Sequence, residues 1–216
     1  MQAKKVDVDA KVLLDPGAAE WAQVPAETMV MGGTPVSLQP SRYIRTKWSD
    51  KPIGSVRSLN VRFAHNGKEV FFLLEWQDPT QNVDHGRADF PDGAGVLFPL
   101  NADAPLNQMG SEKQPVNAWF WRADFEDGAQ NITARGLGSV TATEKSAVSA
   151  RGQWQDGRWL LVIARPLAVT EQEGEAVQLA VGKTFKVAFA VWEGSSGERA
   201  GLKSFSKQWR DLTLEG

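Results

Sequence analysis

Apolar positions along this chain gather in short runs, some strictly alternating, and no segment keeps a 3.6-residue apolar period for three turns. The clearest pair of runs is Leu59–His65 and Lys68–Trp76, separated by Asn66-Gly67. Asn-Gly between apolar runs predicts a hairpin closed by a type I′ turn, whose two central residues both need positive φ. A second hairpin is predicted from Ala150–Trp154 and Arg158–Ala164 around Gln155-Asp156-Gly157, and further strands over Gly95–Phe98, Val116–Arg122, Phe185–Trp192 and Gln208–Leu214. A short helix is expected near Ala18-Ala19-Glu20-Trp21. This spacing predicts an all-β fold, an antiparallel β-sandwich with long functional loops and few short helices. Residues 1–50 are rich in Pro and turns, but no repeat or linker divides the chain, so residues 1–216 read as a single domain. Three stretches are too polar and turn-rich for strands: Asp78–Gly93, Asn101–Gln114 and Glu193–Ser206. Loops this long on a β scaffold are uncommon unless they bind something or are mobile.

Charge and composition remove several classes of function. Lys plus Arg is 24 and Asp plus Glu 26, a net charge of −2 with no block of like charge, which argues against a nucleic-acid binder held by bulk electrostatics. The longest apolar run, Val187–Trp192, falls far short of the roughly 20 residues of a membrane span. Met1–Lys5 leads into Val6-Asp7-Val8-Asp9 instead of an apolar stretch, so the start does not read as a signal peptide. Cysteine is absent, which excludes disulfides, thiolate metal sites and covalently attached c-type haem. With only His65 and His85, multi-histidine metal sites are unsupported. No Gly-x-Ser-x-Gly occurs, and Gly136-Leu137-Gly138 lacks the third glycine and helix of a dinucleotide site.

The three loops hold the candidate chemistry. Asp78, Asp84, His85, Asp89 and Asp92 make the first loop oxygen-rich enough for calcium, though without the spacing of a calcium-loop motif; solvated acidic turns are the plainer reading. His65 reads as a strand-end residue at a turn. In the second loop, Met109 is either a soft metal ligand or a filler between loop and sheet. In the third, Lys203 would ordinarily be a solvated charge. Nine Trp and ten Phe beside one Tyr supply core, a cofactor surface, or exposed Trp platforms that stack on sugar rings. A carbohydrate-binding module is therefore the alternative reading.

The Met109-Gly110 loop leading into Pro115–Trp121, the strand end Phe189–Gly194, and the loop Glu198–Lys203 before Ser206-Lys207-Gln208-Trp209 together resemble one family. It is the haem b-binding gamma subunit of periplasmic molybdenum enzymes: ethylbenzene dehydrogenase, dimethylsulfide dehydrogenase, selenate reductase and chlorate reductase. The resemblance extends to Asp15-Pro16 through Trp21 and to Trp76–Thr80. It implies a β-sandwich that holds one non-covalent haem b, with Met109 and Lys203 as the axial iron ligands. Lys207, Lys183 and Lys186 compete with Lys203, and Arg42, Arg122 and Arg199 are candidates for the haem propionates. The implied role is non-catalytic: a relay of single electrons between a soluble c-type cytochrome and the iron–sulfur subunit of a heterotrimer with a molybdopterin catalytic subunit. Chlorate reductase is the favoured complex, and the implied location is periplasmic, with a leader absent from this sequence.

Overall fold

The computed structural model describes residues 1–101, 104–126, 128–144, 146–172 and 174–216. Its strands are β1 (Gln2–Lys5), β2 (Ala26–Gly33), β3 (Ser58–His65), β4 (Glu69–Gln77), β5 (Gly93–Pro99), β6 (Val116–Arg122), β7 (Gln130–Ala134), β8 (Val140–Ala142), β9 (Ser149–Gln155), β10 (Arg158–Pro166), β11 (Thr184–Trp192), β12 (Ser204–Ser206) and β13 (Arg210–Leu214). Two short α-helices, α1 (Ala10–Leu13) and α2 (Arg42–Lys47), lie in the N-terminal quarter. The helix expected near Ala18 is a 3-10 turn over Ala19–Gln23.

The strands run in the order β8-β7-β6-β5-β11-β12-β2-β3-β4-β10-β9, with β1 joining β13 and β3 in parallel and β13 pairing β11. Folded over, this ribbon is an antiparallel β-sandwich. Its first layer is built around β3, β4 and β10, and its second around β5, β6 and β11. Alternation along each strand decides what goes between them. Phe63, Phe72, Leu74, Trp76, Trp159 and Leu161 of the first layer meet Val96, Phe98, Trp119, Trp121, Phe189 and Val191 of the second in one buried core. Phe72 is central, with ring centroids 5.6–6.5 Å from those of Phe63, Phe98, Trp119 and Phe189.

The outer face of the first layer is apolar as well: Phe71, Leu73, Val162 and Ala164 are covered by Leu13, Trp21 and Val24 of the N-terminal segment. The outer face of the second layer carries the complementary positions Leu97, Ala118, Ile132, Ala134, Ala188, Ala190 and Trp192. Loops cover it only in part, and the site lies there.

Strands β1, β2, β7, β8 and β12 were not expected. β1 and β2 lie in the turn-rich first 50 residues, and β12 within the third predicted loop; their short or glycine-containing sequences carry little period-2 signal. The two hairpins differ in their turns. At Asp156-Gly157 both residues have positive φ, 53° and 74°, as the type I′ expectation requires. The first hairpin corrects the expectation. Asn66 pairs back to Glu69 and the two-residue loop is Gly67-Lys68, with a positive φ (86°) at Gly67 and not at Asn66. That is the pattern of a type II′ turn. The Asn66 side chain accepts from the amides of Lys68 and Glu69 instead, at 3.0 and 2.8 Å.

Phe72→Ala is expected to lower the unfolding free energy by about 3–5 kcal/mol in a urea titration. Tyr43→Ala, at an exposed position on α2, is expected to stay within about 0.5 kcal/mol. Similar values for the two would contradict this core assignment.

Candidate functional site

A cavity of about 680 Å³ opens on the outer face of the second layer. Its floor is made of positions that alternate with core residues: Gly93, Gly95 and Leu97 of β5, Ala118 and Phe120 of β6, Ile132 of β7, and Trp192 at the end of β11. Small side chains on β5 and β6 leave the room. Its rim comes from the loops, with Met109 from one and Arg199, Ala200, Gly201 and Lys203 from another. All three long loops therefore line one largely apolar chamber: Met109 comes from the second, Lys203 from the third, and His85, Phe90 and Pro91 from the first.

Met109 ends a 3-10 turn, Leu106–Gln108, and adopts the left-handed conformation, with φ 58° and ψ 45°. A long side chain pays about 1–2 kcal/mol for that backbone, and such outliers cluster at functional sites. The loop is tightly held. The Met109 amide donates to Leu106 O, its carbonyl accepts from the Gly136 amide, and the Trp209 indole donates to Ala104 O. Gly110 follows at φ 81°, where a Cβ would come within 2.8 Å of the Ala134 and Gln114 carbonyl oxygens. The Met109 side chain is buried and packs with the outer-face cluster.

Lys203 is 3% exposed and is fixed through its backbone by Thr34, whose amide donates to Lys203 O at 3.0 Å. Thr34 Oγ1 and Gln39 Nε2 donate to Gly201 O at 2.6 and 2.9 Å, and the Trp192 indole donates to Ala200 O at 2.9 Å. Glu198, also buried, accepts from the amides of Gly54, Ser55 and Glu193 and anchors the loop to residues 54–55. The Lys203 Nζ itself makes no hydrogen bond or ion pair among the described residues; it sits 5.0 Å from the Trp192 ring centroid. Burial pushes its pKa down to about 7. The competing lysines, Lys183, Lys186 and Lys207, are all exposed and none lines the cavity.

Cations also stand at the cavity mouth. Arg122 is committed to Asp124 through paired contacts of 2.5 and 2.8 Å. Arg199 lies 4.2 Å over the Phe90 ring and has no carboxylate partner among the described residues. His85 is half exposed at the rim, 4.0 Å from Asp124. Arg42 lies on exposed α2, away from the cavity. His65 is fully buried elsewhere; burial lowers its pKa, and its Nδ1 accepts from the Gly67 amide.

The first loop divides. Asp84, His85 and Asp89 are exposed, whereas Asp78 and Asp92 are buried and converge with Glu193, a residue the sequence reading had not attached to them. Burial, reinforced by the charge of Asp92, pushes the Asp78 carboxyl up to about 7; the Thr80 amide opposes this. The Trp76 indole also approaches Asp78, but its Nε1 forms no hydrogen bond of ordinary geometry. None of the nine Trp is exposed, so a Trp platform for sugars is absent; Trp154 and Trp209 are partly covered and the others buried.

Fold and cavity together define a β-sandwich with a loop-rimmed, largely apolar ligand chamber containing one buried thioether and one buried amine. The chain belongs to the ethylbenzene dehydrogenase family, whose model matches residues 18–138 and 132–204. It is 36% identical over 89% of its length to a protein of Haloferax mediterranei named as a respiratory nitrate reductase heme subunit, ORF7. It is 31% identical over 90% of its length to the dimethylsulfide dehydrogenase subunit gamma of Rhodovulum sulfidophilum, and 38% identical over 66% to the chlorate reductase subunit gamma of Ideonella dechloratans. The chain spans 65%, 73% and 59% of these relatives' own lengths, respectively. Among solved structures, a Bacteroides uniformis protein described as carbohydrate-binding superposes with a TM-score of 0.56 at 11% identity, covering 100% of this chain and 98% of that one. That likeness shows the fold alone.

The Lys203 pKa gives a pH-dependent test. The unfolded lysine titrates near 10.4, so between about 7 and about 10 the unfolded chain binds more protons and stability climbs with pH. Below 7 the burial penalty is fully present. In haem-free protein, Lys203→Met is expected to raise the melting temperature by about 5 °C or more at pH 6–7. The gap to wild type should close toward pH 10 in melts across that range. A gap independent of pH would show that the amine is not the group being penalised.

Proposed function

We propose that this chain is the electron-transfer subunit of a molybdopterin oxidoreductase, holding one non-covalent haem b in the outer-face cavity between Met109 and Lys203. The observation that carries the reading is the Lys203 amine: buried, without a hydrogen-bond or ion-pair partner among the described residues, and lining the same chamber as a buried thioether. A haem supplies a one-electron Fe(III)/Fe(II) couple whose potential its axial ligands tune.

The chain's own residues fit that group. The desolvated pocket already favours the neutral amine, the form that can donate a lone pair to a metal. The thioether is a soft ligand that suits the reduced metal, and the amine a harder one that moderates this preference. Met109 and Lys203 arise from separate loops, each pinned by hydrogen bonds to its backbone, and would hold the group from both. If both Met109 and Lys203 were to hold the metal, little room would be left for a small substrate to bind it, which favours electron transfer as the role. Leu97, Ala118, Phe120 and Trp192 supply the apolar bed, and Arg199 is the mouth cation free to meet a propionate carboxylate.

The names of the relatives support the assembly: one is a heme subunit, and two are gamma subunits of a dehydrogenase and a reductase. We place the chain beside molybdopterin and iron–sulfur subunits, relaying single electrons between the iron–sulfur subunit and a soluble periplasmic cytochrome. Two of the three relatives are named for nitrate and chlorate reductases, so an oxyanion reductase of the chlorate type is the favoured complex.

Reconstitution of the full chain with hemin is expected to give one haem per chain and a low-spin, six-coordinate absorption spectrum in both redox states. Met109→Ala and Lys203→Ala should each convert it toward a five-coordinate spectrum. Unchanged spectra in both variants would remove the ligand assignment. A protein that refuses hemin and binds polysaccharide would replace this reading with the carbohydrate-binding one.

A further inference from the structure

Behind the cavity wall lies a second cluster that the haem reading does not use. Asp78 leaves the end of β4, Asp92 immediately precedes β5, and Glu193 immediately follows β11. Each offers a carboxylate oxygen within 4.8 Å of the other two, and the three residues are 0%, 0% and 5% exposed.

All three accept from backbone amides, but only Asp92 and Glu193 have both carboxylate oxygens satisfied. Asp92 Oδ1 accepts from the Gly194 amide, and Oδ2 from the Asn82 amide and the Trp159 indole, at 2.8–3.0 Å. Glu193 accepts from the amides of Ser195 and Ser196 at 2.9 and 3.0 Å. Asp78 Oδ1 accepts from the Thr80 amide. Its second oxygen, Oδ2, is fully buried and forms no hydrogen bond of ordinary geometry, the Trp76 indole approaching Asp78 without making one. No Lys or Arg forms an ion pair with any of the three among the described residues. A cluster of buried carboxylates with an orphaned oxygen and no countercharge carries a heavy desolvation cost unless something positive sits among them.

We propose that Asp78, Asp92 and Glu193 form a buried calcium site, which pins the start of β5 and the end of β11 behind the cavity. The donor set is all oxygen, as a hard cation needs. Oxygens bound at about 2.3–2.6 Å span up to about 5 Å across a calcium ion, which the observed separation accommodates. A magnesium ion binds oxygen at about 2.0–2.1 Å and keeps several waters, for which a buried cluster tied to backbone amides is poorly suited. The ion would bind where the first and third loops leave the sheet. Its neighbours Gly93 and Trp192 belong to the cavity floor.

The site is tested on the full chain without haem, so its failure and failure of the haem reading are separable. Protein stripped with a chelator and dialysed is titrated with calcium chloride, and with magnesium chloride in parallel, and followed by calorimetry and thermal melting. Calcium is expected to bind with one site per chain and to raise the melting temperature by about 5–10 °C at a hundredfold excess over Kd. Magnesium is expected to bind at least about tenfold more weakly. Asp78→Asn, which keeps the shape, should weaken calcium binding at least about tenfold, while Asp84→Asn, exposed in the same loop, should leave it unchanged. If calcium and chelator leave wild-type melting unchanged, the carboxylates share a proton and the proposal is overturned. An equal calcium response in Asp78→Asn and wild type would overturn it as well.

Discussion

The arrangement of this protein turns on one constraint: a primary amine is held out of water without anything to bond to. A lysine ammonium taken into an apolar site loses its hydration, and the folded state tolerates this only by discharging it or by giving its nitrogen something to do. Arg165 shows the alternative in the same chain. It too is fully buried and lies 4.7 Å over the Trp119 ring, yet it donates to the carbonyls of Pro166, Leu167 and Val177. Its pKa is lowered only to about 10, so it remains charged and serves as structure. Lys203 has no such carbonyls. Thr34 and Gln39 satisfy the backbone of its loop and leave the amine itself available.

That amine matters only because the sheet beside it leaves space. In the second layer the strands bury large aromatic residues on their inner face and place Gly, Ala and single larger residues on the outer one. Thus Ala94, Val96 and Phe98 enter the core while Gly93 and Gly95 line the chamber; Trp119 and Trp121 enter the core while Ala118 lines it. A sandwich core needs only the inner set. The outer set of the first layer is covered by the N-terminal segment, whereas that of the second is left to loops, and this asymmetry makes one face structural and the other receptive.

How much of this could be read from the amino acids follows from the range of each signal. The long two-sided strands β3, β4, β10 and β11 were legible because apolar runs bounded by turn residues are local. Strands such as β12, with Ser204 and Ser206 flanking Phe205, owe their existence to pairing with β2 and β11, which no local pattern states. Met109 and Lys203 emerged from the family resemblance and not from their own surroundings. A methionine after Asn-Gln and a lysine after Gly-Leu look like loop residues until the sheet joins them. Thr34 and Glu198, which hold the Lys203 loop, and Glu193, which meets Asp78 and Asp92, were missed. Their roles depend on contacts between residues 101 to 169 positions apart in the chain.

The likeness of the fold to carbohydrate-binding sandwiches sharpens the distinction between scaffold and site. Sugar recognition needs an exposed aromatic face for stacking, beside polar groups for the hydroxyls. Here Trp76, Trp119, Trp121 and Trp159 are locked in the inter-sheet core, and Trp21 seals the N-terminal cover; Trp192 forms a cavity wall with its indole committed to Ala200. The aromatic load that composition alone leaves open is therefore spent mainly on packing. What remains on the receptive face is apolar area with one thioether and one amine, the features on which the proposed haem reading rests.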